Sequence, residues 1–166
     1  MKKSQKNFAV IGNPISHSIS PVLFANFAKN LKKDYYYSRI LCDNLIDAVD
    51  LIEAFEIQGI NITAPFKRDI LKYIDVQSED VEKLGVANTV VWKEQKTGFN
   101  TDIEGVSFPL KDYLQDNKKV LVIGAGGAAV AAVYAMKKNN IKDVFIANRT
   151  ISKAKLIAEK FDIHVL

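Results

Sequence analysis

Cysteine is almost missing. Cys42 is the single one in 166 residues, which rules out an internal disulfide framework and a cysteine-based zinc site and fits a reducing, cytoplasmic setting. Histidine is nearly as scarce, with two. Neither they nor the carboxylates fall at metal-ligand spacing, so no metal is expected. No apolar run approaches the roughly 18–20 residues of a membrane span. Met1-Lys2-Lys3 is basic, but no hydrophobic segment follows, so no signal peptide is expected. Internal repeats and low-complexity tracts are also absent. The net charge is a mild +4. The lysines come in scattered pairs (Lys2-Lys3, Lys32-Lys33, Lys118-Lys119, Lys137-Lys138) and form no single stripe. That argues against a nucleic-acid surface, although a basic balance suits small anions.

What remains is a chain with 48% hydrophobic and 25% charged residues, enough for a core in one large domain or two small ones. Phe8-Ala9-Val10-Ile11 reads as a strand ended by Gly12-Asn13-Pro14. A loop with three serines leads to Ser20-Pro21, with Ser20 expected as the N-cap of a helix and Pro21 as its first residue. Val22, Leu23, Phe27 and Leu31 are expected to be the helix's apolar face. Ser18 and Ser20, two hydroxyls at a helix N-terminus, suit a carboxylate, while Ser20 has the alternative of a plain cap. A strand over 35–41 carries Tyr35, Tyr37 and Arg39 on one side, and a helix over 44–56 follows. The next strand, 60–64, alternates Ile60 and Ile62 with Asn61 and Thr63 and stops at Pro65. It delivers Lys67 on a loop at its mouth. Strand, helix and strand in this order predict an α/β fold with a mostly parallel sheet, whose ligands gather at the carboxyl ends of the strands. A short helix over 78–84 leads to a hairpin running from Asn88 to Asn100. Thr101 and Glu104 then form an expected capping box for a helix over 103–114, with Asp102 in its first turn.

The second half opens after the polar stretch Asp116-Asn117-Lys118-Lys119. An apolar strand, 120–123, turns through Gly124-Ala125-Gly126-Gly127-Ala128-Ala129 into a helix over 128–136. This is the dinucleotide fingerprint, with glycines for the tight turn and for close approach of a pyrophosphate. An NAD enzyme would place an acid at the end of the next strand. Here Val144-Phe145-Ile146-Ala147 ends in Asn148-Arg149-Thr150, followed by Lys153. Arginine and lysine there suit the 2′-phosphate of NADP, the alternative being a basic helix start. A helix over 151–161 and a strand beginning at 163 complete the first half of a dinucleotide domain.

Six stretches taken together, in order, resemble the shikimate dehydrogenase family. They are Gly12 to Pro21, Asn61 to Lys67, Asn88-Thr89, Asn100-Thr101-Asp102, Gly124 to Ala128 and Asn148-Arg149-Thr150. The resemblance implies NADPH-dependent, reversible reduction of 3-dehydroshikimate to shikimate in aromatic amino-acid biosynthesis. It implies Lys67 and Asp102 as the catalytic pair, and Ser18, Ser20, Thr63 and Asn88 as substrate ligands. Gly124, Ala125, Gly126, Gly127, Ala128, Asn148, Arg149, Thr150 and Lys153 are the cofactor residues it implies. The expected organisation is a substrate-binding and catalytic domain over 1–102, a linking helix over 103–117 and a partial Rossmann-like domain over 118–166. The family continues beyond that point, so an N-terminal portion is expected. Two departures stand out: Phe24 where the family often has histidine, and Ala64 where it has a branched aliphatic residue. Other readings are a quinate/shikimate dehydrogenase using NAD, and a non-catalytic shikimate-binding module. The expected partner is the small-molecule substrate, with no nucleic acid and no membrane. Pairing of two chains through the Val165-Leu166 edge is expected, or else a loosely ordered cofactor half.

Overall fold

β1 (Lys6–Gly12) forms where the sequence is most apolar, and it sits inside the sheet between β2 (Tyr35–Leu41) and β3 (Ile57–Ile62), parallel to both. The computed structural model describes residues 5–113 and 118–166. β5 (Thr89–Val91) pairs antiparallel with β3, and β6 (Thr97–Phe99) antiparallel with β5. β4 (Val76–Gln77) runs parallel to β6. The six strands take the order β2-β1-β3-β5-β6-β4. Three of the five ladders are parallel, so the expected class holds, with an antiparallel hairpin inserted.

Strand parity divides this sheet into two faces of different chemistry. One face carries Ala9, Ile11, Ile40, Ile60, Ile62 and Val90, all buried in a single cluster with Leu45 and Ile52 of α2 (Leu45–Ala54). Asn44 caps α2, its Oδ1 accepting the Asp47 N–H at 3.0 Å. Capping and the turn at Phe55 confine the helix to fewer residues than the 44–56 expected. The opposite face carries Phe8, Tyr35, Tyr37, Arg39, Asn61 and Thr89, and α1 (Ser20–Asn30) packs there through Phe24.

The expected apolar face of α1 is corrected by this packing. Val22, Leu23, Phe27 and Leu31 are exposed, and Phe24 and Ala28 are the residues turned inward. The helix is apolar on most sides, so periodicity alone picked the wrong stripe; the ring partners Phe8, Tyr35 and Tyr37 decide which side docks. The expected strand over 60–64 is also shifted. It runs 57–62, and Thr63 and Ala64 belong to the turn after it. Beyond it lie a 3-10 helix (Asp69–Tyr73) and α3 (Glu79–Leu84), capped by the Ser78 hydroxyl and ended by Gly85 at φ 73°.

The described residues divide into two compact units, Met1–Asn100 and Thr101–Leu166. In the second, β7 (Lys119–Ile123), β8 (Asp143–Ala147) and β9 (His164–Val165) form a parallel sheet in the order β7-β8-β9. α5 (Gly127–Lys138) and α6 (Ile151–Phe161) connect the strands in turn. Val133, Ala135, Val144, Ile146 and Ala154 are fully buried between helices and sheet. α4 (Asp102–Leu110) packs on α5, and Asn139 Nδ2 donates to Ser107 Oγ at 3.4 Å. The expected capping box is not formed, because Thr101 stands at the N-cap in a helical conformation and makes no side-chain capping bond. The helix ends at Leu110, short of the end expected at 114, and 111–113 form a turn; part of the polar stretch falls on residues 114–117, outside the described residues.

Candidate functional site

Two loops meet past the carboxyl ends of β1 and β3. The turn after β1 crosses the turn after β3 closely enough that the Asn13 N–H donates to the Ala64 carbonyl at 3.1 Å, and the Thr63 N–H to Ile11 at 2.9 Å. Gly12 permits this approach, since a Cβ there would stand 2.3 Å from Thr63 Cγ2. The serine loop and the Lys67 loop are thereby joined.

Within the serine loop, Ser18 Oγ donates to Ser20 Oγ at 3.1 Å and accepts the Ser20 N–H at 3.3 Å. The N-cap is Ile19, which makes no side-chain capping bond, and Ser20 is the first helical residue. The capping role expected of Ser20 is thus corrected: Ser18 holds a backbone N–H of the first turn, and the Ser20 hydroxyl faces elsewhere. Arg39 fixes the loop from β2, donating from Nε at 2.9 Å and Nη2 at 2.6 Å to the Ser18 carbonyl. A forked guanidinium on one carbonyl is a charge-assisted anchor.

Burial raises the Tyr37 phenol to about 12, against a smaller lowering from the Ser20 side chain. Tyr37 donates to Asn61 Oδ1 at 2.7 Å. Asn61 Nδ2 donates to Thr89 Oγ1 at 3.0 Å, and Thr89 Oγ1 donates to Asn88 Oδ1 at 3.1 Å. Asn88 is buried, and its backbone is held on both sides, the N–H on Phe99 and the carbonyl on Ile62. Buried Asn100 steadies the same corner by donating from Nδ2 to the Val86 carbonyl at 3.1 Å. Tyr37, Arg39, Asn61 and Thr89 are visible in the sequence patterns but were given no role in the site. Their signal was parity, since all four stand on the strand positions opposite the buried isoleucines.

Lys67 is half-buried at the loop after β3, where its carbonyl accepts the Ala87 N–H at 2.9 Å and Phe66 beside it is buried. Thr63 and Lys67 share that turn, closed by the Phe66 N–H on the Thr63 carbonyl at 3.0 Å. The first unit therefore holds Ser18, Ser20, Thr63, Lys67 and Asn88. Asp102 opens α4 in the second unit.

The glycine turn fits a dinucleotide. Gly124 has φ 114°, a conformation that side chains resist, and its N–H donates to the Ala147 carbonyl. Gly126 and Gly127 need no such backbone, yet a Cβ on either would meet no protein atom within 4 Å. The protein does not use the room they leave, which is the room a pyrophosphate needs at the N-terminus of α5. Ala125 and Ala128 complete the turn. Arg149 and Thr150 are exposed just past β8, with Lys153 exposed in the first turn of α6. Asn148 shapes the turn, donating from Nδ2 to the Thr150 carbonyl at 2.8 Å.

Comparison with known proteins agrees with this geometry. A family model described as the shikimate dehydrogenase substrate binding domain matches residues 10–90, and one described as shikimate / quinate 5-dehydrogenase matches residues 110–166. A shikimate dehydrogenase (NADP(+)) of Caldanaerobacter subterraneus subsp. tengcongensis is 38% identical over 159 residues, covering 93% of this chain and 57% of the relative. The crystal structure of shikimate dehydrogenase from Aquifex aeolicus superposes with a TM-score of 0.90 at 34% identity, covering 98% of this chain and 62% of that one. The Thermus thermophilus enzyme in complex with NADP(H) and shikimate gives 0.87 at 32% identity, covering 98% and 63%. The chain thus spans about three fifths of the length of these relatives. With both family models in register along it and the same fold throughout, the chain belongs to the shikimate dehydrogenase family.

Proposed function

We propose that this chain carries the substrate site and the first part of the cofactor site of an NADP-dependent shikimate dehydrogenase. The observation that supports this best is the pair of joined loops past β1 and β3, which bring a hydrogen-bonded serine pair and Lys67 to one end of a parallel sheet. In this reading Ser18 and Ser20 hold the shikimate carboxylate, and Thr63 and Asn88 read ring hydroxyls. Lys67 gives its Nζ proton to the carbonyl oxygen of 3-dehydroshikimate as the carbonyl becomes an alcohol, and takes it back in reverse. Asp102, the second member of the catalytic pair, holds a substrate hydroxyl. NADPH supplies the hydride to the ring carbon when bound. Gly124, Ala125, Gly126, Gly127 and Ala128 cradle its pyrophosphate, while Asn148, Arg149, Thr150 and Lys153 surround its 2′-phosphate. The domain roles follow, with 1–102 for substrate and 118–166 for cofactor, joined through 103–117. The setting is the cytoplasm, and the assembly a homodimer.

Lys67→Ala tests the chemistry. NADPH consumption with 3-dehydroshikimate should fall by roughly 10²–10⁴ in kcat, with shikimate affinity nearly kept by the serines. Near-normal turnover would remove Lys67 from the mechanism. Calorimetric binding of shikimate with no turnover in the unaltered protein would instead favour the binding-module reading.

A further inference from the structure

The hydrogen bonds from Tyr37 to Asn88 all run in one direction. Tyr37 donates to Asn61, Asn61 to Thr89, and Thr89 to Asn88 Oδ1. A hydroxyl has one proton, so once Tyr37 gives its proton to Asn61 Oδ1, the amide of Asn61 must present Nδ2 to Thr89. Thr89, receiving that N–H, spends its own proton on Asn88 Oδ1. The amide of Asn88 is thereby set with its oxygen toward Thr89 and its Nδ2 as the donor end of the chain.

The sheet makes this possible. Val10 stands level with Arg39 on β2 and with Asn61 on β3, and Asn61 level with Thr89 on β5, so one row crosses four strands on one face. Tyr37 reaches that row from one position lower, alongside Phe8 and Gly59. Gly59 leaves space for the Phe8 ring, since a Cβ there would meet it at 3.0 Å. Phe24 packs on the Tyr37 ring at 4.5 Å between centroids and holds the phenol in place.

We propose that Tyr37, Asn61 and Thr89 form a positioning relay that sets the orientation of the Asn88 amide. None of the three need touch the reacting atoms. Because the relay orients a donor, it selects for a ring hydroxyl at the Asn88 subsite that can accept. This rests on the substrate reading above.

The test uses the unaltered chain, Thr89→Val, Thr89→Ser and Tyr37→Phe, titrated calorimetrically with shikimate and with each of its monodeoxy analogues. Thr89→Val should weaken shikimate about tenfold, Thr89→Ser should restore it, and for one monodeoxy analogue the Thr89→Val penalty should vanish. An equal penalty for every ligand would mean a general loss of structure and would overturn the relay, as would full affinity for shikimate in Thr89→Val. Failure of the unaltered protein to bind shikimate would sink the substrate reading instead. The relay then remains open to test in the free protein. Solvent exchange of the Asn61 side-chain amide protons should be slow and should accelerate about tenfold in Thr89→Val but not in Thr89→Ser. Unchanged exchange would overturn the relay whatever the ligand.

Discussion

Tyr37 is the residue on which the proposed substrate site of the first unit turns, though its place in the sequence assigned it no role. Its ring packs on Phe24, and its hydroxyl donates to Asn61 on β3. Position 24, where the family often has histidine, thus supports the site from behind and does more than fill space. Burial raises the phenol to about 12, above the ordinary 10.0. The folded state therefore keeps a proton that the unfolded chain loses first, and the stabilising contribution is whole below pH 10 and lost as pH rises toward 12. The unaltered protein should lose melting temperature over that interval more steeply than Tyr37→Phe, and parallel curves would show that the phenol is not held protonated. Arg149 carries the second test at this scale. Only NADP bears the 2′-phosphate, so Arg149→Ala should cost NADP binding ~1.5–3 kcal/mol while leaving NAD nearly unchanged. Equal losses would remove Arg149 from cofactor choice.

At the scale of elements, much was legible. The apolar strands, the α5 fingerprint turn and the hairpin 89–99 follow from local patterns, and the structure places them within a few residues of expectation. The missed features depend on partners distant in sequence. Which side of α1 docks is settled by rings on β1 and β2, and the order of the polar row by cross-strand register. Motif residues such as Asn61 and Thr89 were visible, but their bonds to each other were not. Two glycines show how the same residue type serves different ends. Gly12→Ala would press Cβ against Thr63 Cγ2 and the Ala64 carbonyl, so it should destabilise the protein by about 1–3 kcal/mol. Gly127→Ala meets nothing and improves the start of α5, so the melting temperature should hold or rise while NADP affinity falls. Affinity unchanged in Gly127→Ala would mean that the pyrophosphate does not approach that turn.

At the scale of the molecule, the exposed edges of the two sheets decide how a second copy would join. The edge expected from the sequence, at Val165-Leu166, belongs to β9, which has two residues. β2 offers seven, ends its own sheet, and is flanked by exposed Tyr36, Leu41 and Phe55. An unpaired edge of that length invites another strand, and identical strands pair about a two-fold axis. Antiparallel pairing centred on Ser38 would bring Lys33, just before β2 in each copy, toward Asp43, just after β2 in the other, whereas parallel pairing would bring like charges together. Strand length therefore favours β2 over β9, and the charges favour its two-fold arrangement over a parallel one. Each such surface pair is worth about 0.2–1 kcal/mol and occurs twice, so Lys33→Glu should weaken dimerisation roughly tenfold and make it less sensitive to competing salt. Asp43→Lys alone should weaken it similarly, and the two together should restore it. Light scattering across a dilution series reads the outcome. A monomer at every concentration would end the homodimer proposal, and a dimer indifferent to both reversals would move the interface away from β2.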